Sequence, residues 1–206
     1  MANVLIIERQ ELVRQGIEAA LAGNDRITLA ASTADPKTGF ELFKQLRPDV
    51  VILGLRFVDF CSIDALPAYF EIAPQAKIVI LADNAGDGEI AKALKLGALA
   101  FVSKENSTQD LLAAVEAAAD GKKYVPKDIA DVLTAHYGED ELTPAETNVL
   151  QSIVGGMSNK EIAFALDVSE NTVKSHIQSI FSKIGVSDRT SAATAAIKRG
   201  LVRVDL

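Results

Sequence analysis

The first half of the chain alternates short apolar runs with segments in which apolar residues recur at helical spacing. The runs are rich in β-branched residues and occupy positions 4–7, 27–31, 50–53, 78–81 and 99–102. Short continuous runs of this kind are typical of strands that are buried on both faces. Between them, apolar side chains recur every three or four positions, as at Phe40, Phe43 and Leu46. This pattern predicts an α/β domain with five strands, each followed by a helix, in a parallel sheet covered on both faces.

The residues that directly follow these runs are the candidates for a functional site in the predicted domain. In an open parallel sheet, ligands bind outside the carboxyl ends of the strands. Glu8 and Arg9 follow the first run, Gly54 the third, Ala82 the fourth, and Lys104 comes two positions after the fifth. We therefore expect these five residues to surround one pocket.

A change in pattern divides the chain after this domain. Gly121 ends the last helical segment, Pro126 follows, and helical spacing resumes over 127–137 before the acidic stretch 138–141. These signals predict a first domain over 1–121, a linker helix and hinge over 122–141, and a second domain over 142–206. The second domain is helical throughout, and Thr143, Pro144 and Glu146 form the pattern of a helix start with a capping box.

The second domain contains two helical segments separated by a very short turn. A short helix is predicted over 159–166, a turn at 167–168, and a longer helix from its cap at Ser169 to Ile184. This is the spacing of a helix-turn-helix unit, in which the second helix can enter the DNA major groove. Its buried stripe is predicted to contain Val173, Ile177, Ile180, Phe181 and Ile184. Its opposite face carries polar side chains suited to base edges and phosphates, namely Asn171, Thr172, Lys174, Ser175, Gln178 and Lys183.

The charge of the chain is unevenly distributed between the two domains. The 206 residues include 21 basic and 28 acidic side chains and have a net charge of −7, and the length suits one large or two small domains. Residues 1–141 hold 14 basic and 22 acidic side chains, whereas residues 142–206 hold 7 and 6. The second domain therefore remains a candidate DNA-binding domain, one that would rely on base contacts and dimerisation more than on bulk charge.

Several other classes of protein are disfavoured by composition. No apolar run approaches the roughly 18 residues of a membrane span, and the opening residues lack the basic segment of a secretion signal, which predicts a cytoplasmic protein without membrane contact. The single cysteine, Cys61, and two histidines give no zinc spacing. We predict no metal, no cofactor and no enzymatic activity.

Four stretches of the second domain closely resemble the LuxR-type helix-turn-helix domain. They are LTPAE at 142–146, MSNKEIA at 157–163, VSENTVKSHI at 168–177 and KIGVSDRT at 183–190. The resemblance implies that Lys174, Ser175 and Gln178 read bases of double-stranded DNA. It also implies that two copies pair through the last helix, giving a homodimer. The residues that it implies near phosphates are Lys160, Ser169, Thr172 and Lys183.

Joined to this domain, the five-fold strand–helix pattern resembles response regulators of the NarL/FixJ family over essentially the whole chain. That resemblance implies a flavodoxin-like (βα)5 receiver domain followed by the all-α helix-turn-helix domain. Receivers of the family use two carboxylates, an acceptor aspartate, a hydroxyl residue and a lysine to hold magnesium and a phosphoryl group. The corresponding positions here are Glu8 and Arg9, Gly54, Ala82 and Lys104, of which only Lys104 matches fully. The resemblance therefore implies an atypical receiver that cannot form an aspartyl-phosphate at Gly54 and a regulator that acts independently of phosphorylation.

Two questions remain open at the level of the sequence. Arg9 either fills the vacated metal position and pairs with Glu8, or points to solvent. Asp59 and Asp83 are alternative acceptors in principle, but neither has the required position relative to its strand. For function, the alternative is a pseudo-receiver that acts through a partner, with a regulatory protein or a small-molecule ligand bound at the first domain.

Overall fold

The computed structural model of the chain describes residues 1–58, 60–136 and 139–202. The chain divides into two compact units. One contains residues 1–84 and 90–131, and the other contains residues 85–89 and the chain from Val132 onward. Asp59, two residues of the predicted linker and hinge (137 and 138), and positions 203–206 of the predicted second domain lie outside the described residues. The predicted domain boundaries at 121 and 142 stay predictions.

The first unit is built on a parallel sheet. The strands in chain order are β1 (Ala2–Ile7), β2 (Ile27–Thr33), β3 (Val50–Gly54), β4 (Arg56–Phe57), β5 (Phe60–Cys61), β6 (Ile78–Ala82) and β7 (Ala100–Ser103). Five of them form one sheet in the order β2-β1-β3-β6-β7, and every pair in it is parallel. The five predicted strands and the flavodoxin-like fold class are confirmed. The short antiparallel pair β4–β5 follows the central strand and was not predicted.

Helices separate the strands of the sheet and cover its faces. They are α1 (Glu11–Ala22), α2 (Pro36–Leu46), α3 (Ser62–Ile72), α4 (Asp87–Lys95) and α5 (Thr108–Ala119), and α6 (Lys127–Thr134) follows. Every residue of β3 and β6 is buried, as expected for central strands with helices on both sides. β1, β3 and β7 end at the same edge, which brings Glu8, Gly54 and Lys104 together.

The second unit contains four helices after α6. They are α7 (Pro144–Val154), α8 (Asn159–Ala165), α9 (Glu170–Ile184) and α10 (Arg189–Lys198). The predicted capping box is present, since the backbone NH of Thr143 donates to Glu146 Oε2 at 2.7 Å and the backbone NH of Glu146 donates to Thr143 Oγ1 at 3.3 Å. Asp167 turns the chain between α8 and α9 with φ of 54°, a left-handed conformation that aspartate tolerates better than most residues.

The predicted apolar stripe of α9 lies in the core of this unit. Val173, Ile180 and Ile184 are buried, and Ile177 and Phe181 pack partly buried against the same cluster. The all-helical second domain is thus confirmed. Within the described ranges, each helix is too short or too polar to cross a lipid bilayer.

Candidate functional site

The turn between α8 and α9 sets the direction of the longer helix. The backbone NH of Val168 donates to the carbonyl of Ala163 at 3.0 Å and closes the end of α8. Ser169 then caps α9, accepting a hydrogen bond from the backbone NH of Thr172 at 3.0 Å. Since one side of α9 is buried by its apolar stripe, the opposite side faces solvent.

Seven of the eight residues predicted to contact DNA are exposed. Asn171, Lys174, Ser175 and Gln178 follow the spacing i, i+3, i+4 and i+7, which places them on one face of α9. The other three exposed residues are Lys160, Ser169 and Thr172. The face thus offers an ammonium, two amides and short hydroxyls, which are the groups that pair with base edges and phosphates.

The eighth residue, Lys183, is placed differently. Its Nζ atom lies 2.8 Å from Glu146 Oε2 and donates to the carbonyl of Glu141 at 3.0 Å, and its side chain is only 19% exposed. The ammonium group is therefore engaged within the unit, between α9 and the start of α7. The structure does not bring Lys183 to the exposed face, and its role near phosphates stays a prediction.

Glu146 is the buried centre of this contact. Burial alone raises the pKa of its carboxyl group, but hydrogen bonds from Lys183, Ser179 and Thr143 outweigh burial and lower the pKa to about 2. Ser179 Oγ donates to Glu146 Oε1 at 2.6 Å. The local sequence pattern predicts only the capping-box role of Glu146 and does not indicate its partners on α9.

In the first unit, Glu8 and Lys104 form a buried ion pair at the carboxyl edge of the sheet. Lys104 Nζ lies 3.0 Å from Glu8 Oε1, and the two side chains are 9% and 1% exposed. The same Glu8 oxygen accepts the backbone NH of Gln10 at 2.8 Å. Lys104 also donates to Gln10 Oε1 at 3.2 Å and lies 3.1 Å from Asp83 Oδ2. The charges of Glu8 and Lys104 therefore compensate each other within the unit.

Gly54 lies directly against the carboxylate of Glu8. A Cβ atom added at Gly54 would lie closer than 3.0 Å to Glu8 Oε2, a separation that real Cβ atoms almost never show, and 3.3 Å from the carbonyl oxygen of Ile7. The space into which a side chain at position 54 would extend is thus filled by Glu8. Ala82, at the end of β6, is 2% exposed and adds only a methyl group.

The structure separates the two alternatives for Arg9. Arg9 is exposed, and the cation that pairs with Glu8 is Lys104. The structure thus favours the solvent-facing alternative over pairing with Glu8. Asp83 is also exposed and contacts Lys104, whereas Asp59 lies outside the described residues.

The family resemblance implies a magnesium ion in this pocket, and the residues present do not fit one. Magnesium prefers several carboxylate or other oxygen ligands in a near-octahedral arrangement. Glu8 is the one carboxylate among the five predicted pocket residues, and it already accepts from an ammonium group. Across 1–58, 60–136 and 139–202, no group of three or more acidic, histidine or cysteine side chains is arranged to hold a metal ion.

Comparison with known proteins gives matches for both parts of the chain. Residues 4–116 match the family model for the response regulator receiver domain, and residues 140–196 match the model for bacterial regulatory proteins of the luxR family. The chain is 31% identical over 203 residues to the transcriptional regulatory protein MctR of Rhizobium johnstonii, covering 97% of this chain and 95% of that protein. It is 28% identical over 201 residues to the nitrate/nitrite response regulator protein NarL of Escherichia coli K12, covering 93% of each.

A solved structure shows the same fold. A chain from the structure of two RcsB dimers bound to two parallel DNAs matches with a TM-score of 0.73 and 24% sequence identity, covering 96% of this chain and 98% of that one. The match extends over both units, and it agrees with an α/β unit followed by a helical one.

Proposed function

The chain belongs to the response regulators that join a receiver domain to a LuxR-family DNA-binding domain, and we propose that this transcriptional regulator acts as a homodimer without phosphorylation of its receiver. The observation that carries the proposal is the position of the Glu8 carboxylate against Gly54, where it is held by Lys104.

Phosphorylation of a receiver requires a carboxylate nucleophile at the end of the third strand. Glycine has no nucleophilic atom, and the space beside it is occupied by Glu8. Lys104, which would otherwise neutralise an incoming phosphoryl group, is already paired with a buried carboxylate. These features support a receiver that stays in one state whether or not a phosphodonor is present.

On DNA, we assign base contacts to Lys174, Ser175 and Gln178. Lysine pairs well with guanine O6 and N7, and the glutamine amide can make two hydrogen bonds to adenine. Lys160, Ser169 and Thr172 lie exposed at the starts of α8 and α9, where hydroxyls and cations suit phosphate oxygens.

The weak overall charge of residues 142–206 supports the proposal of a homodimer. Residues 142–206 carry one more basic than acidic side chain, so a single copy gains little from release of counterions. Two copies related by a two-fold axis would double the base contacts and would read half-sites about one helical turn apart. The related RcsB fold was solved as dimers bound to DNA.

The test is selection of DNA from a random library with untreated, full-length protein, followed by affinity measurements with and without acetyl phosphate or beryllofluoride. We expect a site with two-fold symmetry and the same dissociation constant under all three conditions. A parallel sample of a response regulator with an intact acceptor aspartate controls for the activity of both reagents. A tenfold gain in affinity with either reagent would overturn phosphorylation independence. Recovery of no specific site would favour the alternative, an interaction module that works through a partner protein.

A further inference from the structure

A cavity in the first unit is lined by neither Glu8 nor Lys104. It is an open groove of about 1200 Å³ bordered by the start of α2, by α3 and by the β4–β5 pair. Four aromatic side chains line it, namely Phe40, Phe57, Phe60 and Tyr69. We refer to it as the aromatic groove.

The rings of the aromatic groove are arranged as two pairs. The centroids of Phe57 and Phe60 are 6.0 Å apart, and Phe40 meets Tyr69 edge to face at 4.9 Å. Phe60 is 39% exposed although it is large and apolar, and its neighbour Val58 is more exposed still. Phe57 and Tyr69 are buried, so Phe60 and Val58 supply most of the exposed apolar surface, and a concave apolar lining with a few polar groups is typical of small-molecule sites.

The charges along the aromatic groove are unbalanced once internal contacts are considered. Asp35 accepts hydrogen bonds from the backbone and the hydroxyl of Thr38, both at 2.7 Å, and Glu41 pairs with Lys44 at 2.6 Å. The two cations on the lining are Arg9 and Lys37. Lys37 interacts electrostatically with Asp35, whereas Arg9 forms no hydrogen bond or ion pair within the part of the chain that the structure describes. Counting Lys44, the partner of Glu41, three cations stand against two carboxylates along the groove, which gives it a net charge of +1.

We propose that the aromatic groove binds a flat, multi-ring aromatic anion, with its rings against Phe57 and Phe60 and its acid group on Arg9. Flat rings match the aromatic walls, and a guanidinium group can hold a carboxylate or sulfonate through two parallel hydrogen bonds. The volume of about 1200 Å³ exceeds the roughly 300–1,000 Å³ of ordinary small-molecule pockets, so there is room for several fused or linked rings.

This site is independent of the proposed action on DNA, but it lies close to the receiver pocket along the chain. Arg9 directly follows Glu8, whose carboxylate pairs with Lys104. A ligand that fixes Arg9 would therefore also fix the β1–α1 connection, which contains Glu8, one member of this ion pair.

The experiment compares two fluorescent probes of nearly the same shape on the full-length protein. One is the anion 8-anilinonaphthalene-1-sulfonate, and the other is the neutral N-phenyl-1-naphthylamine. We expect saturable binding of the anion at one site per chain, with Arg9→Gln weakening it about fivefold or more because a charged hydrogen bond is lost. Binding of the neutral probe should change less than twofold. Lys123→Gln, at an exposed lysine outside the groove, is the matched control and should leave both probes unchanged.

A second variant tests the location of the probe. Ala68 is exposed on α3 and lines the groove, so Ala68→Trp fills the space without disturbing a buried residue. We expect it to abolish saturable binding of both probes while the circular dichroism spectrum and melting temperature stay unchanged. The proposal is overturned if no saturable binding occurs, if Ala68→Trp leaves binding intact, or if Arg9→Gln affects the two probes equally. None of these outcomes depends on DNA binding, so failure here is distinguishable from failure of the proposed function.

Discussion

Lys183 on α9 and Glu146 on α7 are joined by a contact of 2.8 Å between Nζ and Oε2. The carboxylate also accepts from the hydroxyl of Ser179, one turn earlier on α9. The helix that presents the candidate base-reading residues is therefore attached at two points to the capped start of α7. The position of that helix depends on an acidic side chain that lies outside the DNA-facing surface.

Replacing Glu146 by glutamine should destabilise the second unit. Glu146→Gln leaves Lys183 without its counter-charge, and we expect the free energy of unfolding to fall by about 1–3 kcal/mol at pH 7. Urea unfolding followed by circular dichroism at 222 nm measures this change. Glu71→Gln, at an exposed glutamate on α3, is the matched control and should change the free energy of unfolding little.

The same variant should alter the dependence of stability on pH. The pKa of Glu146 is about 2 in the folded chain, below its ordinary value of 4.5, so the folded state binds this proton less readily than the unfolded state. Its contribution is complete above roughly pH 5 and is lost as the pH falls toward 2. The difference between the parent protein and Glu146→Gln should therefore shrink on acidification. A constant difference from pH 7 to pH 3 would contradict this account.

Lys174→Ala should weaken binding to the selected DNA site. Lys174 is exposed on the polar face of α9, and loss of a base contact costs about 1–3 kcal/mol. Fluorescence anisotropy with the selected site and a scrambled site of equal length measures the loss. The effect should be larger on the selected site, because a base contact carries specificity. Lys123→Ala serves as the control for charge, and equal affinity of Lys174→Ala and the parent protein would refute the assignment.

Gly54→Ala should destabilise the first unit although alanine is a small residue. Its Cβ atom would meet Glu8 Oε2, and the carboxylate cannot move away freely because its other oxygen, Oε1, accepts from Lys104 and from the backbone NH of Gln10. Overpacking of this kind costs about 1–3 kcal/mol. Gly16→Ala is the matched control, because no atom lies within 4 Å of a Cβ atom at that position on α1. That substitution should instead stabilise the chain by about 0.5–1 kcal/mol. Unfolding curves that place both variants on the same side of the parent protein would be inconsistent with this geometry.

Lys104→Met should also be destabilising, for an electrostatic reason. It leaves Glu8, which is 1% exposed, without the ammonium group that compensates its charge, and breaking such a pair costs about 3–5 kcal/mol. Adding Glu8→Gln removes the uncompensated charge and should recover part of the loss in urea unfolding. Lys123→Met controls for loss of an exposed lysine. If the double variant is no more stable than Lys104→Met, the pair is not the source of the effect.

The strands and the helix-turn-helix unit were predictable because each depends on a local pattern. The run 50–53 corresponds to β3, and the cap at Ser169 marks the start of α9. The sequence also placed Glu8, Gly54 and Lys104 at one edge, since all three follow strands of the same sheet. It could not show that the Glu8 side chain folds over Gly54, because this depends on a rotamer and on hydrogen bonds from distant residues.

Other features were missed for the same physical reason. The β4–β5 pair consists of two-residue strands, which are too short to produce an alternating pattern. Its Phe57 and Phe60 meet Phe40 and Tyr69 around one groove only after α2 and α3 have packed on the sheet. The helical wheel places Lys183 at the border between the buried and the exposed surface of α9, so the sequence does not decide its side. Its contact with Glu146 depends on the packing of α7 against α9.

The carboxylate of Glu8 beside Gly54 also limits which substitutions the chain can accept at position 54. A single nucleotide substitution can convert a glycine codon into an aspartate codon, so a variant with a carboxylate at position 54 is one mutation away. In this chain, the new side chain would enter space that Glu8 already fills, and the variant would be less stable than its parent. An aspartate at position 54 would therefore be accepted only together with a change that moves or replaces the Glu8 side chain.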